Sequence, residues 1–181
     1  PRTQSLSEGQ FGSRVFLFTD DLDVTNRLYF NLLDAEGRDS WGKANGSKPS
    51  GSLANLRADT LAESQERFAE GQAWNLAYEI GHSLGDGPGL NVSRTSSQDS
   101  GVTADSDIIV ATASLEVGYN DPSVGAVIQH KAPRGEAKFL QRKGRAGRPR
   151  GMRPWTVVVL SDYGRDRMAY QAYDQLFDPE L

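Results

Sequence analysis

The sequence contains no cysteine, and only two histidines occur among its 181 residues. Disulfide bonds, cysteine-zinc sites and thiol nucleophiles are therefore excluded, and the isolated His82 and His130 do not make a metal site. No apolar run approaches the roughly 18 residues that span a bilayer, and the amino terminus has no signal-peptide pattern. These absences predict a cytoplasmic protein with no membrane partner and no metal held by its own side chains.

A phosphate-binding loop of the form GxxxxGK[ST] is also missing, and no acidic DExx box follows a suitable strand. Without the lysine of such a loop and an acid that holds Mg²⁺, a chain cannot complete a nucleoside-triphosphate site alone. The chain opens at Pro1 with no initiator methionine. We therefore expect it to be one piece of a longer protein.

Positive charge is concentrated in one short segment of an acidic chain. Residues 131–153 hold nine Lys or Arg and one acid, a local balance of +8, whereas the whole chain has a net charge of −4. Such segregation indicates an anionic partner at a defined place. Within the segment, Gln141–Arg148 reads QRKGRAGR, in which two arginines each follow a glycine and can bring guanidinium groups close to a phosphate.

The segment predicts phosphate chemistry, on a nucleotide, a nucleic acid or both. Taken alone, QRKGRAGR is equally typical of a solvated basic helix end or of an Arg-Gly stretch that binds RNA without order. The other basic residues of the segment, Arg142 among them, are predicted to be surface charge or nonspecific phosphate contacts. The neighbouring sequence decides between these alternatives.

Apolar runs of strand type alternate with segments of helical periodicity along the chain. The strand candidates are residues 14–18, 91–94, 107–111, 124–129 and 155–160, and the helical segments are 22–36, 61–84, 136–143 and 165–177. Thr60 and Glu63 have the spacing of a capping box. The alternation predicts an α/β domain of three layers with a mainly parallel sheet, and residues 37–90 are predicted to be a helical and loop insertion between the first two core strands.

Two polar loops follow strand candidates in this pattern, residues 111–122 and residues 141–148. Ligands of open α/β sheets bind at the carboxyl ends of the strands, so both loops are expected at that edge. A helix N-cap is the simpler interpretation of Thr112–Ser114 taken alone, and capping is compatible with a phosphate contact.

The amino-acid sequence of these loops resembles motifs V and VI of superfamily 2 helicases. Ala111–Gly118 reads ATASLEVG and is followed closely by QRKGRAGR, with an apolar strand and the pair Pro133-Arg134 between them. The strand RVFLFT at residues 14–19 is similar to motif IV. The resemblance covers most of the chain outside residues 37–90, and it is nearest to DEAD/DEAH-related DNA helicases of the large helicase-related kind. The segments RTSSQDSG and GRPRGMRPWTVVVLSDYGRDR also resemble helicases of bacterial anti-phage defence systems.

The resemblance implies a C-terminal RecA-like domain, of the P-loop NTPase type, that shares an ATP cleft with an N-terminal RecA-like domain of the same protein. Mg²⁺ would be held by that partner domain, and the isolated chain is expected to be inactive. Nucleic acid is the implied second partner, with DNA favoured over RNA. The residues implied as catalytic are Gln141, Arg145 and Arg148, where the two arginines act as fingers on the γ-phosphate.

Further roles are carried over position by position. The ATP-binding set comprises Gly118, Asn120, Asp121, Gln141, Arg145 and Arg148. The nucleic-acid-binding set comprises Thr19, Asp20, Arg94, Thr95, Ser96, Thr112, Ala113, Ser114 and Arg134. Many relatives carry Asp where Asn120 stands, which is a departure from the pattern that Asp121 could offset.

Two other functions fit the same sequence. The first is a non-catalytic nucleic-acid-binding or scaffold module with a helicase-like fold, which needs no complete ATP site. The second is a protein-interaction role carried by residues 37–90. A phosphate-binding loop and a DExx box upstream of Pro1 would favour the motor over both.

Overall fold

The structure is a computed structural model that describes residues 10–43, 53–56, 60–70, 89–95, 103–112 and 120–174. By contacts it divides into two compact units, residues 27–92 and the remainder of the chain. Across the described residues, no helix is long and apolar enough to cross a membrane. The assignment of residues 37–90 as an insertion stays a prediction.

A five-stranded sheet forms the centre of the larger unit. Its strands are β1 (Arg14–Phe18), β2 (Val92–Thr95), β3 (Ile108–Ala111), β4 (Val124–His130) and β5 (Trp155–Val159), in the spatial order β2-β3-β1-β4-β5. The pairs β1–β3, β1–β4 and β4–β5 are all parallel. With helices between the strands, this confirms the predicted α/β architecture and its mainly parallel sheet.

The central position of β1 follows from its sequence. A strand buried on both faces should be apolar throughout, and Phe16, Leu17 and Phe18 are all buried. Phe16 and Phe18 contact one another edge to face, and they share a core cluster with residues of β3 and β4. The other members of this cluster are Ile109, Ala111, Val124 and Val127.

The described residues include four α-helices and one short 3₁₀ helix. They are α1 (Leu22–Ala35), the 3₁₀ helix (Leu53–Leu56), α2 (Leu61–Ala69), α3 (Glu136–Lys143) and α4 (Gly164–Gln171). The Asp21 carboxylate accepts hydrogen bonds from the backbone N–H groups of Asp23 and Val24, and so caps α1.

The smaller unit contains most of α1, the 3₁₀ helix and α2. The hydroxyl of Thr60 accepts a hydrogen bond from the Glu63 backbone N–H, at 3.2 Å, as the capping-box spacing predicted. Asp34 accepts a hydrogen bond from the backbone N–H of Leu53, which ties the 3₁₀ helix to α1. The continuation of the predicted helix beyond residue 70 lies outside the described residues.

A buried carboxylate joins the ends of β4 and β5 to the start of α4. Asp166 is 4% exposed and accepts hydrogen bonds from the backbone N–H groups of Ala132 and Ser161 and from the Ser161 hydroxyl, all at 2.8–2.9 Å. Burial by itself would raise the pKa of Asp166, but these hydrogen bonds and the nearby charge of Lys131 hold it below its ordinary value. The ionised carboxylate therefore stabilises the fold.

We predict that Asp166→Asn lowers stability in a pH-dependent manner. Because the folded-state pKa is depressed, the contribution of the carboxylate is present above the unfolded pKa of about 3.9 and is lost as pH falls through the folded value. At neutral pH the variant should lose about 1–3 kcal/mol, the usual cost of leaving buried donors poorly satisfied. Thermal unfolding of both proteins between pH 3 and pH 7 checks this, and a Tm difference that does not shrink in acid would contradict it.

Candidate functional site

Polar and charged side chains gather at two opposite edges of the sheet. In a parallel sheet all the strands begin at one edge, here called the amino edge, and end at the other, the carboxyl edge. The paired strands end together, since Phe18 lies beside Ala111 and Gln129, and His130 lies beside Val159. The predicted site residues divide between these two edges.

The segment Gln141–Arg148 lies at the amino edge, so its predicted position at the carboxyl edge was wrong. Helix α3 starts after the carboxyl end of β4 and runs back along the sheet, and the residues that follow it reach the start of the strands. The Gly147 backbone N–H donates to the carbonyl oxygen of Val124, the first residue of β4, at 3.1 Å. The segment follows β4 in the sequence, but α3 lies between them and carries the chain from the carboxyl edge back to the amino edge.

The Ala-Gly pair of GRAGR anchors the segment. Ala146 packs against the apolar core cluster, and Gly147 has a φ of 74°, a conformation that L side chains rarely adopt. A Cβ atom on Gly147 would lie 2.4 Å from Cγ of Pro154. The backbone at this point is therefore fixed, and Arg145 and Arg148 flank a rigid pair of residues.

Arg148 contacts a residue that the sequence predicted to share its site. Its Nη1 donates a hydrogen bond of 2.7 Å to Oδ1 of Asn120, and both side chains are exposed. Arg145 is half-buried, and Gln141 is exposed near the end of α3. The amino edge thus holds two of the predicted ATP-binding residues in direct contact and two more on the same α3–loop segment.

Asp121 stabilises this edge from within. Its carboxylate forms an ion pair with Arg14, the first residue of β1, and accepts hydrogen bonds from the backbone N–H and hydroxyl of Ser123. Burial would raise the pKa of Asp121, but the bonds from Ser123 and the Arg14 guanidinium hold it below its usual range. The carboxylate that could have offset Asn120 is therefore occupied by protein partners.

The carboxyl edge carries the predicted nucleic-acid residues, but several have buried or engaged side chains. Thr19 is 1% exposed, and its hydroxyl bonds to that of Thr25 at 2.7 Å. Thr95 is buried as well, and Arg94 donates to Oδ1 of Asn26 at 2.8 Å. A side-chain contact from Thr19 or Thr95 to a nucleic acid does not fit this burial, which corrects the prediction.

Thr112 and Arg134, also predicted as nucleic-acid residues, are partly or fully exposed at this edge. Thr112 directly follows β3 and is half-buried, and Arg134 is exposed just before α3. Gly118, Ser96, Ala113 and Ser114 lie outside the described residues. Their roles stay predictions.

Arg142 is buried, although the sequence predicted surface charge there. Its side chain is 1% exposed; Nη2 lies 2.7 Å from Oδ1 of Asp20, and Nη1 donates to Oε1 of Gln129 at 2.7 Å. The guanidinium carbon also lies 5.3 Å from the centre of the Phe18 ring, a cation–π arrangement. Asp20, predicted as a nucleic-acid contact, is therefore the partner of a core arginine.

A signal for this burial existed in the sequence. Phe139 and Arg142 are three residues apart, so they lie on the same face of α3, and that face packs on the sheet. The basic composition of the segment concealed the helical pattern.

Phosphate groups fit the amino edge by their chemistry. Arg145 and Arg148 supply planar guanidinium donors beside the neutral Asn120, and such donors bind phosphate oxygens in pairs. Across the part of the chain that the structure describes, no group of three or more His, Cys, Asp or Glu side chains could hold a metal ion.

Part of the chain matches a known family model. Residues 86–150 match the model described as the helicase conserved C-terminal domain. The matched range includes β2 to β4, α3 and the segment Gln141–Arg148.

Among solved structures, the chain is similar to the Mycobacterium smegmatis helicase Lhr in its complex with ssDNA and AMP-PNP. The sequence identity is 20%, the TM-score is 0.41, and the match covers 81% of this chain and 15% of the Lhr chain. The chain thus spans a small part of the length of that protein. No curated protein matches the chain significantly in sequence. The similarity to anti-phage defence helicases stays a prediction.

We predict that the buried pair of Arg142 and Asp20 is strongly coupled. Arg142→Met leaves Asp20 without its cation, and breaking a buried ion pair costs roughly 3–5 kcal/mol, with the lower figure expected because Asp20 retains some exposure. The double variant Arg142→Met with Asp20→Leu should recover much of this loss. Denaturant unfolding of the single and double variants measures the coupling, and additive losses would show that the pair contributes little.

We also predict that Gly147→Ala is more destabilising than Gly151→Ala. Both glycines have a positive φ, 74° and 88°, so each substitution carries the left-handed penalty of about 1–2 kcal/mol. A Cβ atom at Gly151 meets nothing within 4 Å, whereas one at Gly147 collides with Pro154. Equal losses of Tm in the two variants would show that the loop adjusts freely.

Proposed function

We propose that this domain is the C-terminal half of an ATP-dependent nucleic-acid helicase or translocase. ATP binds between its amino edge and an N-terminal RecA-like domain of the same protein, and nucleic acid binds along its carboxyl edge. Hydrolysis alternately closes and reopens the cleft, which moves the nucleic-acid surfaces of the two domains relative to each other.

The observation that carries this proposal is the separation of the candidate residues. All the described ATP candidates lie at or near the amino edge: Asn120, Asp121, Gln141, Arg145 and Arg148. Of the described nucleic-acid candidates whose side chains are neither buried nor held by a core arginine, Arg94 lies near the end of β2, and Thr112 and Arg134 lie on the loops that follow β3 and β4. The two edges of one rigid sheet can therefore bind two different phosphate ligands at once.

At the amino edge, Arg148 is held by a neutral partner. The amide oxygen of Asn120 orients the guanidinium without cancelling its charge, whereas a carboxylate would compete with phosphate for it. The remaining N–H donors of Arg148 can then bind a phosphate oxygen. We infer that Asn120 positions Arg148 in the open cleft and that the γ-phosphate binds the same guanidinium in the closed cleft.

Arg145 and Arg148 would act only when the partner domain supplies the rest of the site. Their guanidinium groups neutralise the charge that develops on the γ-phosphoryl oxygens during transfer to water. Gln141, exposed on the last turn of α3, would contact the γ-phosphate and so couple its presence to closure of the cleft. Acids of the partner domain would hold Mg²⁺, which would supply positive charge to offset the negative charge of the phosphates. The isolated domain is expected to hydrolyse no ATP.

Residues 37–90 are proposed to be an elaboration of the helicase domain with a separate role in docking. If so, its deletion should leave ATP hydrolysis unchanged and remove a partner. DNA is the proposed nucleic acid and a bacterial anti-phage system the proposed setting, both on the sequence resemblance alone.

We predict that Arg145→Ala and Arg148→Ala each lower nucleic-acid-stimulated ATP hydrolysis by the full-length protein on the order of 10³-fold, as loss of an arginine finger does. Nucleic-acid affinity should remain within about threefold, because these residues lie at the opposite edge from the nucleic-acid candidates. Arg148→Lys should rescue little, since lysine lacks the two-donor fork. Steady-state hydrolysis and binding isotherms check these outcomes.

Arg150→Ala serves as the matched control. It removes an exposed arginine two residues beyond Arg148 and should hydrolyse ATP at the wild-type rate. Near-normal turnover in both finger variants would refute the assignment. Wild-type protein that binds nucleic acid but hydrolyses no ATP would favour the non-catalytic scaffold instead.

A further inference from the structure

The short loop between β4 and α3 has an unusual backbone conformation. Lys131 has a φ of 66°, the one non-glycine residue with positive φ among those described. A side chain in this region costs roughly 1–2 kcal/mol relative to the right-handed conformation. Strained residues of this kind persist where the surrounding structure fixes them, and they concentrate at functional sites.

The surroundings do fix this loop. The Lys131 backbone N–H donates to the carbonyl oxygen of Val159, at 2.8 Å. Both polar groups of the Ala132 backbone are held by the start of α4, since its N–H donates to Asp166 and its carbonyl oxygen accepts from Nη2 of Arg165, each within 2.9 Å. Ala132 is 2% exposed and Pro133 is buried. We refer to these contacts of Asp166 and Arg165 as the Ala132 clamp.

The loop presents positive charge on both sides of the clamped residues. Lys131 precedes Ala132 and Arg134 follows Pro133, and both side chains are exposed. Lys138, one turn into α3, is exposed as well. Of the acids around the loop, Asp166 is buried, and Glu136 is half-buried with its Oε1 atom out of contact with solvent. Asp162, on the segment that follows β5, is exposed. The exposed charges of the loop itself, Lys131 and Arg134, are both positive.

Its place in the fold makes this surface suited to a ligand. In the strand order β2-β3-β1-β4-β5, the connection that follows β1 leads to β2 at one end of the sheet, and the connection that follows β4 leads to β5 at the other end. The order of the strands therefore reverses between the neighbours β1 and β4. Ligands of open α/β sheets bind outside the carboxyl ends of strands at such a point. The Lys131–Arg134 loop begins at the carboxyl end of β4, and α3 leads from it to the Arg145–Arg148 segment at the other edge.

We propose that Lys131 and Arg134 form a phosphate-binding pair for the backbone of a nucleic acid, kept in position by the Ala132 clamp. Backbone phosphates are the chemistry that two exposed cations on a rigid loop recognise, because such contacts need charge and position but no base edge. The inference depends on the proposed function only for the identity of the partner. It adds Lys131, for which the sequence left surface charge or a nonspecific phosphate contact open, to the nucleic-acid interface.

Salt dependence of binding provides the test. Each phosphate contact contributes about 0.7 to the slope of log affinity against log salt for a single strand, and about 0.9 for a duplex. Lys131→Asn removes the charge while keeping a residue that tolerates the left-handed conformation, and Arg134→Gln removes the second charge. In the full-length protein without nucleotide, each variant should lose one contact from the slope and bind about fivefold more weakly at 0.1 M salt.

Lys143→Gln is the matched control, because it removes an exposed lysine from the last turn of α3 and should leave the slope unchanged. Lys131→Arg keeps the charge and should restore the wild-type slope. Single-stranded DNA, duplex DNA and single-stranded RNA are used as separate probes, and the probe with the largest change identifies the polymer. Unchanged slopes in Lys131→Asn and Arg134→Gln, or an equal change in Lys143→Gln, would overturn the pair.

The result is independent of ATP hydrolysis, since no nucleotide is present. Loss of slope in a protein that fails to hydrolyse ATP would support the phosphate pair and reject the motor. Normal hydrolysis with unchanged slopes would support the motor and reject the pair.

Discussion

The buried contact between Arg142 and Asp20 is the interaction on which the rest of the site depends. A fully buried guanidinium is costly unless its charge is paired and its donors are satisfied. Here Asp20 supplies the charge, Gln129 accepts a further hydrogen bond, and the face of Phe18 covers the cation. Arg142 lies in α3, whereas Phe18 is the last residue of β1, Asp20 follows that strand and Gln129 lies in β4. The contact therefore fixes the position of α3 along the sheet, and with it the position of the loop that carries Arg145 and Arg148.

The residues of the GRAGR segment, 144–148, have different structural roles. Ala146 packs into the core, Gly147 accepts a backbone conformation and a close approach that no other residue tolerates, and the two arginines on either side remain at the surface. Both anchoring residues act at the amino ends of the strands. The direction of the two arginines therefore depends on contacts of the motif with α3, which precedes it, and with the starts of β4 and β5.

The proposed mechanism depends on the separation of the two edges of the sheet. Helix α3 connects the basic Lys131–Arg134 loop at the carboxyl edge with the Arg145–Arg148 segment at the amino edge, and Arg142 ties that helix to the sheet between them. Two phosphate ligands can bind one rigid element at opposite ends. Movement of the domain as a body, rather than distortion of the sheet, is then sufficient to relate nucleotide state to nucleic-acid contact.

By itself the sequence determined the elements, since the runs Arg14–Phe18 and Ile108–Ala111 predicted strands of an α/β domain and are strands in the structure. The phosphate chemistry that the sequence predicted for QRKGRAGR stays a prediction. Tertiary structure decided which edge each loop occupies, that Arg142 is buried, and that Thr19 and Asp20 serve the fold. These features depend on the return of α3 along the sheet and on contacts between residues as far apart as Asp20 and Arg142. Local patterns carry periodicity and residue type, whereas the partner of a buried charge is set by long-range packing.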